Sequence, residues 1–107
     1  MKTQIHIDTS NSHSTKVFLT IDGKEKKAIK LNESGHSQTV LPLLSELFTK
    51  EQVNFSTVTE ITVYAGPGSF TGVRIGVAIA NTLAWALNVP VNGKKTVTPV
   101  YSTSKFD

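Results

Sequence analysis

Cysteine is missing from all 107 residues, which removes disulfides, thiolate metal sites and thiol nucleophiles together. A reducing compartment is therefore permitted. The opening stretch, Met1 to Asp8, has no apolar leader segment, so a cytoplasmic location is expected. No uninterrupted apolar run reaches the roughly 20 residues that a bilayer-spanning helix requires, and no membrane association is expected. Internal repeats and low-complexity tracts are also lacking. His6, His13 and His36 are scattered without metal-ligand spacing, and no HxxxH pair occurs. Acidic residues are the minority, with Asp and Glu numbering 8 against 11 Lys and Arg, a net charge of +3. Lys24, Lys26, Lys27 and Lys30 supply much of that excess. They read first as a solvated edge strand, although such a patch also suits a protein working near RNA.

The most informative stretch begins with Ile61 to Ala65, a β-branched and aromatic run that predicts a short buried strand. Gly66, Pro67 and Gly68 then break regular structure, because glycine permits positive φ while proline fixes φ and removes a donor. Ser69 is placed to cap the helix that follows. The four residues Gly66, Pro67, Gly68 and Ser69 are thus expected to form a structural turn between strand and helix.

That helix, from about Phe70 to Asn88, has little polar surface. At 100° per residue, Arg74, Trp85, Ala78, Thr71, Thr82 and Asn81 share one sector. The remaining arc of roughly 200° is apolar, about twice the stripe that packing on a single core needs. Gly72, Gly76, Ala80 and Ala84 recur every fourth residue as a strip that another backbone can approach closely. The excess apolar surface points to a second neighbour, with one flank on the domain's own sheet and the other on a second helix or chain. A central helix wholly buried in its own domain is the alternative.

Along the chain, residues 3 to 8 alternate as a strand and Lys16 to Ile21 form a second. Asp22-Gly23 suits a type I′ turn, and Lys24 to Leu31 returns as a third strand. Val40, Leu41, Leu44, Leu47 and Phe48 lie at helical spacing up to about Lys50. Pro42 within this run demands either a kink or a helix that starts near Leu41. After the strand and the apolar helix, Val89 to Val91 opens a last short strand, joined by a parallel crossover. The order βββαβαβ predicts an α/β fold with a mixed five-stranded sheet, the ribonuclease H-like or actin-like half-domain. Residues 1–92 form that domain, and 93–107 form a tail in which Pro99 argues against a strand at Thr96 to Tyr101.

The eleven residues from Gly66 to Gly76, GPGSFTGVRIG, resemble the signature of the TsaB (YeaZ) family, bacterial partners of TsaD in making N6-threonylcarbamoyladenosine on tRNA. Ile5 to Ser10 (IHIDTS) is similar to the family's opening strand and loop, and His36 to Pro42 (HSQTVLP) to the start of its first helix. The similarity runs from residue 1 to about 93 and concerns the family's first domain; the resemblance leads to the expectation that the family's second domain is absent. It implies a non-catalytic scaffold subunit whose two helices pack against two helices of a TsaD-like protein, or of a second copy. The partner would supply metal, ATP site and transfer chemistry, and association with tRNA would be indirect. On this reading no cofactor is held, and the interface is expected at Val40, Leu44, Leu47, Gly72, Val73, Gly76, Val77 and Ala80.

The residues themselves offer little independent chemistry. Asp8 is a candidate carboxylate, yet the strand ending at Tyr64-Ala65 brings no second acid, and one carboxylate does not make a two-metal site. The Gly66–Gly72 turn lacks the lysine of a phosphate-binding loop, and Pro67 deletes a donor. Ser69 does not sit in G-x-S-x-G and has no evident histidine base. A degenerate actin-like nucleotide-binding module and a peptidase of the M22 type are the alternatives carried forward.

Overall fold

The computed structural model describes residues 2–11, 14–31, 39–67 and 70–98. The chain opens with three strands: β1 (Thr3–Asp8), β2 (Ser14–Ile21) and β3 (Lys24–Leu31). Helix α1 (Val40–Lys50), a 3-10 turn (Phe55–Thr57), strand β4 (Val58–Val63) and helix α2 (Phe70–Leu87) follow. The strands form one sheet in the order β3-β2-β1-β4, with β1–β2 and β2–β3 antiparallel and β1–β4 parallel. The tight turn between β2 and β3 has Asp22 at φ 49° and Gly23 at φ 85°, the two left-handed positions that a type I′ hairpin requires.

Alternation along β1 sends Thr3, Ile5 and Ile7 to one face, all fully buried, and Gln4, His6 and Asp8 to the other. Val17 and Leu19 of β2 and Ile61 and Val63 of β4 join the buried face. Both helices cover that face, α1 over β2 and β3 and α2 over β1 and β4. The opposite face carries short polar bridges. There the Gln4 side chain donates to the Glu60 carboxylate, and His6 Nδ1 shares a 2.6 Å hydrogen bond with Thr62 Oγ1.

The sheet departs from expectation at its far edge. Among the described residues four strands form instead of five, and the expected fifth is reduced to a single parallel bridge between Val91 and Ile61. Ile61 N donates to Pro90 O and Asn92 N to Ile61 O, both at 2.9 Å. Asn92 (φ 50°) and Gly93 (φ 74°) then turn the chain back, so that Lys94 pairs with Val91 rather than extending the ladder. The Asn92 side chain takes the place of the missing strand residue: Val63 N donates to its Oδ1 at 2.8 Å, and its Nδ2 donates to Val63 O at 3.0 Å. β4 is also placed earlier than the sequence suggests, ending at Val63 rather than Ala65.

Pro42 causes no kink. Because α1 begins at Val40, the proline falls in the first turn, where backbone N–H groups have no intrahelical acceptor. Val40, Leu43, Leu44, Leu47 and Phe48 then form the buried stripe. Among the described residues, no helix is long and apolar enough to cross a membrane.

Candidate docking surface

Helix α2 has three distinct faces, each with its own reason. The first is the strip Gly72, Val73, Gly76, Val77, Ala80 and Ala84, which is buried against β1 and β4. Gly76 lies against Thr9, the residue just past β1. A Cβ at position 76 would sit 2.1 Å from Thr9 Oγ1, and that hydroxyl donates a 2.6 Å hydrogen bond to Gly72 O. The small residues of the motif thus let the helix backbone settle onto the end of β1, with a buried threonine hydroxyl as the fastening.

The residues expected at the interface are already in use within the chain. Val40, Leu44 and Leu47 of α1, and Gly72, Val73, Gly76, Val77 and Ala80 of α2, are all buried within the chain's own core. The physical reason is demand from the sheet: Ile5, Ile7, Val17, Leu19, Ile61 and Val63 need cover, and the most regular apolar rows of the two helices supply it. Of the expected turn, Gly66 adopts φ 111°, Gly66-Pro67 is a cis peptide, and the Tyr64 hydroxyl donates to Pro67 O. Gly68 and Ser69 lie outside the described residues, as do His13 and His36.

The second face is held by the chain itself at one residue. Asn81 reaches the segment after the Val91 bridge through two hydrogen bonds of 2.9 Å, Nδ2 donating to Val97 O and Val97 N donating to Oδ1. A single side chain holds both backbone groups of one residue, as a neighbouring strand would.

The third face is open. Ile75, Ile79 and Leu83 form a half-buried row at four-residue intervals, with Ala78 and Thr82 exposed beside it. Thr82 Oγ1 donates to Ala78 O at 2.9 Å, so its hydroxyl is satisfied within the helix and its methyl is left to the surface. Across from this row stands Leu41, 49% exposed, from the first turn of α1. Leu41, Ala78, Ile79, Thr82 and Leu83 together line an almost wholly apolar groove of about 210 Å³. Trp85, 83% exposed, stands one turn beyond Thr82. The apolar excess noted in the sequence is therefore real, but it belongs to Ile75, Ile79 and Leu83 rather than to the glycine strip. The helical wheel contained that row; separating it from the core row required knowing which flank Thr9 and Val97 occupy.

The polar candidates do not assemble. Asp8 Oδ1 accepts from Ser10 N at 2.9 Å and Ser10 Oγ at 2.6 Å, a local turn that uses up one carboxylate oxygen. Glu46 is exposed on α1. Among the described residues, no three His, Cys, Asp or Glu side chains come close enough to hold a metal ion. His6 is packed against the Phe18 ring, with centroids 5.4 Å apart. Burial holds its pKa below the usual 6.5, against opposing attraction from Asp8 and Glu25.

Comparison with known proteins agrees with this architecture. The family model described as TsaD, tRNA N6-adenosine threonylcarbamoyltransferase, matches residues 30–98. The tRNA threonylcarbamoyladenosine biosynthesis protein TsaB of Bacillus subtilis is 37% identical over 90 residues, covering 84% of this chain and 39% of the relative. The protein of that description from Escherichia coli is 34% identical over 91 residues, with 85% and 39% covered. The solved structure of YeaZ from Pseudomonas aeruginosa superposes with a TM-score of 0.78 at 35% identity, over 85% of this chain and 42% of that one. The chain thus spans about two fifths of the length of these relatives. It belongs to the family of tRNA threonylcarbamoyladenosine proteins that the TsaD model describes and that includes the TsaB (YeaZ) relatives.

Proposed function

We propose that this chain is an accessory, non-catalytic subunit in threonylcarbamoyladenosine modification of tRNA, docking a TsaD-like protein through the groove between α1 and α2. The observation that carries the reading is the open apolar row Ile75, Ile79 and Leu83 facing Leu41, on a helix whose glycine strip is already buried against the sheet. Exposed apolar patches of this kind on a small domain mark protein contacts. The relatives named TsaB, biosynthesis proteins of tRNA threonylcarbamoyladenosine, support an accessory role in which the partner carries the chemistry. In isolation the same groove pairs two copies of the chain, helix against helix. Contact with tRNA then follows from the partner, and the setting is cytoplasmic.

Ala78→Glu tests the placement. Ala78 is exposed, so a glutamate there keeps the helix and the core intact. Docking would force an unpaired carboxylate into an apolar interface, a penalty of about 2–3 kcal/mol, or roughly 30- to 150-fold in affinity. Titration calorimetry against a TsaD-like protein should show that loss. Undiminished binding by a folded Ala78→Glu protein would remove the groove from the interface.

A further inference from the structure

We propose that the free rim of β3 binds a nucleic-acid phosphate backbone directly, a contact that the docking reading does not require. Among the described residues β3 pairs with β2 only, so its outer edge faces no other described strand. Lys24, Lys26 and Lys27 are all exposed along it. Strand alternation puts Lys24 and Lys26 on the helix-bearing side and Lys27 on the opposite side, so positive charge fans out above and below one edge. Lysines two residues apart on one face are separated by about 6.6 Å. Lys50, in the last turn of α1, borders the same shallow concavity at this edge as Lys27, Ala28 and Ile29.

The opposing charge is thin. Along the strand itself Lys24, Lys26 and Lys27 meet a single carboxylate, Glu25, while Glu46 borders the concavity, Glu51 follows Lys50, and Asp22 in the preceding turn accepts from Lys2 N. Among the described residues, no carboxylate closes an ion pair with Lys24, Lys26, Lys27 or Lys50. An acidic peptide added as a further strand fits poorly, because lysine side chains on both sides of an edge obstruct pairing. A phosphate backbone needs no ladder and no pocket, only point charges spaced along a ridge, which lysines provide. The rim also stays open when the groove is filled. Leu41 is at the first turn of α1 and Lys50 at the last, about 14 Å apart along the helix axis.

The two roles of edge lysines, blocking aggregation and binding phosphate, separate on charge reversal. The variant K24E/K26E/K27E keeps a charged edge and so keeps the protein soluble, while inverting its attraction for RNA. Binding of labelled unmodified tRNA to the 107-residue chain alone, without partner, is followed by fluorescence anisotropy between 50 and 200 mM KCl. Three to four phosphate contacts at about 0.7–0.9 each give a slope of log K against log salt of about −2 to −3.6 for wild type. Affinity then falls roughly 16- to 150-fold over that range. The triple variant is expected to bind at least tenfold more weakly at 50 mM, and Lys27→Gln to reduce the slope by about one. Because no partner is present, failure of the groove assignment leaves this result untouched. Equal tRNA binding by the folded triple variant overturns the proposal, as does the absence of salt-dependent binding by wild type at 50 mM. Polyglutamate bound as tightly as tRNA would assign the rim to acidic proteins instead.

Discussion

Replacing Gly76 with alanine gives a prediction whose sign separates this packing from an ordinary helix. In an exposed helix interior, glycine to alanine stabilises by about 1 kcal/mol, because alanine loses less backbone freedom on folding. Here the new Cβ would lie 2.1 Å from Thr9 Oγ1, 3.3 Å from Thr9 Cβ and 3.4 Å from Thr9 Cγ2. Thr9 is fully buried and β-branched, so rotation about χ1 takes the hydroxyl off Gly72 O or brings the methyl group into the same space. Overpacking of this kind costs about 1–3 kcal/mol, and stranding a buried hydrogen-bonding group costs about 1–3 kcal/mol more. Set against the propensity gain, the net is a loss of about 2–3 kcal/mol. For a domain of this size that lowers Tm by on the order of 10 °C or more. Urea denaturation followed by circular dichroism measures it, and a double-mutant cycle with Thr9→Ala locates it. Thr9→Ala alone should cost about 1 kcal/mol, and Gly76→Ala added on top should then be neutral or stabilising, a coupling of about 2 kcal/mol. If Gly76→Ala stabilises the wild-type background, the close approach of Thr9 to the helix is not what the glycine serves.

Two further outcomes follow from side chains away from the groove. His6 is held below its usual pKa by burial, so the unfolded chain takes up a proton on acidification before the folded one does. Its contribution to stability is complete above pH 6.5 and is lost as pH falls from 6.5 toward the lowered folded value. Denaturation midpoints between pH 7.5 and 5 should show that decline, and His6→Gln should flatten it. Asn81→Ala removes both bonds to Val97 while leaving the buried strip of α2 intact. The Val97 amide should exchange with solvent about tenfold faster or more, with a loss of global stability under about 2 kcal/mol.

Local chemistry made most of the fold legible. The I′ turn, the alternation of β1 and the i, i+3, i+4 pattern of α1 are each written in a handful of adjacent residues, and the strands and helices stand close to where those residues put them. Two features depended on contacts distant in sequence. Val89, Pro90 and Val91 look like the start of a strand, yet only Val91 bridges, because Asn92 and Gly93 turn away and the Asn92 side chain completes Val63. The rows expected to face a partner are buried in the chain's own core, and the half-buried row lies beside them on α2. Gly72, Gly76 and Ala80 read as a strip for a close neighbour, and they are one. The neighbour is Thr9, more than sixty residues earlier in the chain, and no periodicity within α2 encodes that. Leu41 shows the converse: it shares the helical spacing of α1 with Leu44, yet it is half exposed and lines the groove against Ile79 and Leu83.

The most direct test of docking through the open face of α2 is methyl NMR of the chain, labelled at Ile and Leu, titrated with an unlabelled TsaD-like protein. Ile75, Ile79, Leu83 and Leu41 should broaden or shift first and most, while Leu44 and Leu47, sealed in the core, follow weakly or not at all. Perturbations centred on Ile29, or spread evenly over the core methyls with Ile79 and Leu83 unmoved at saturation, would place the partner elsewhere and contradict the account.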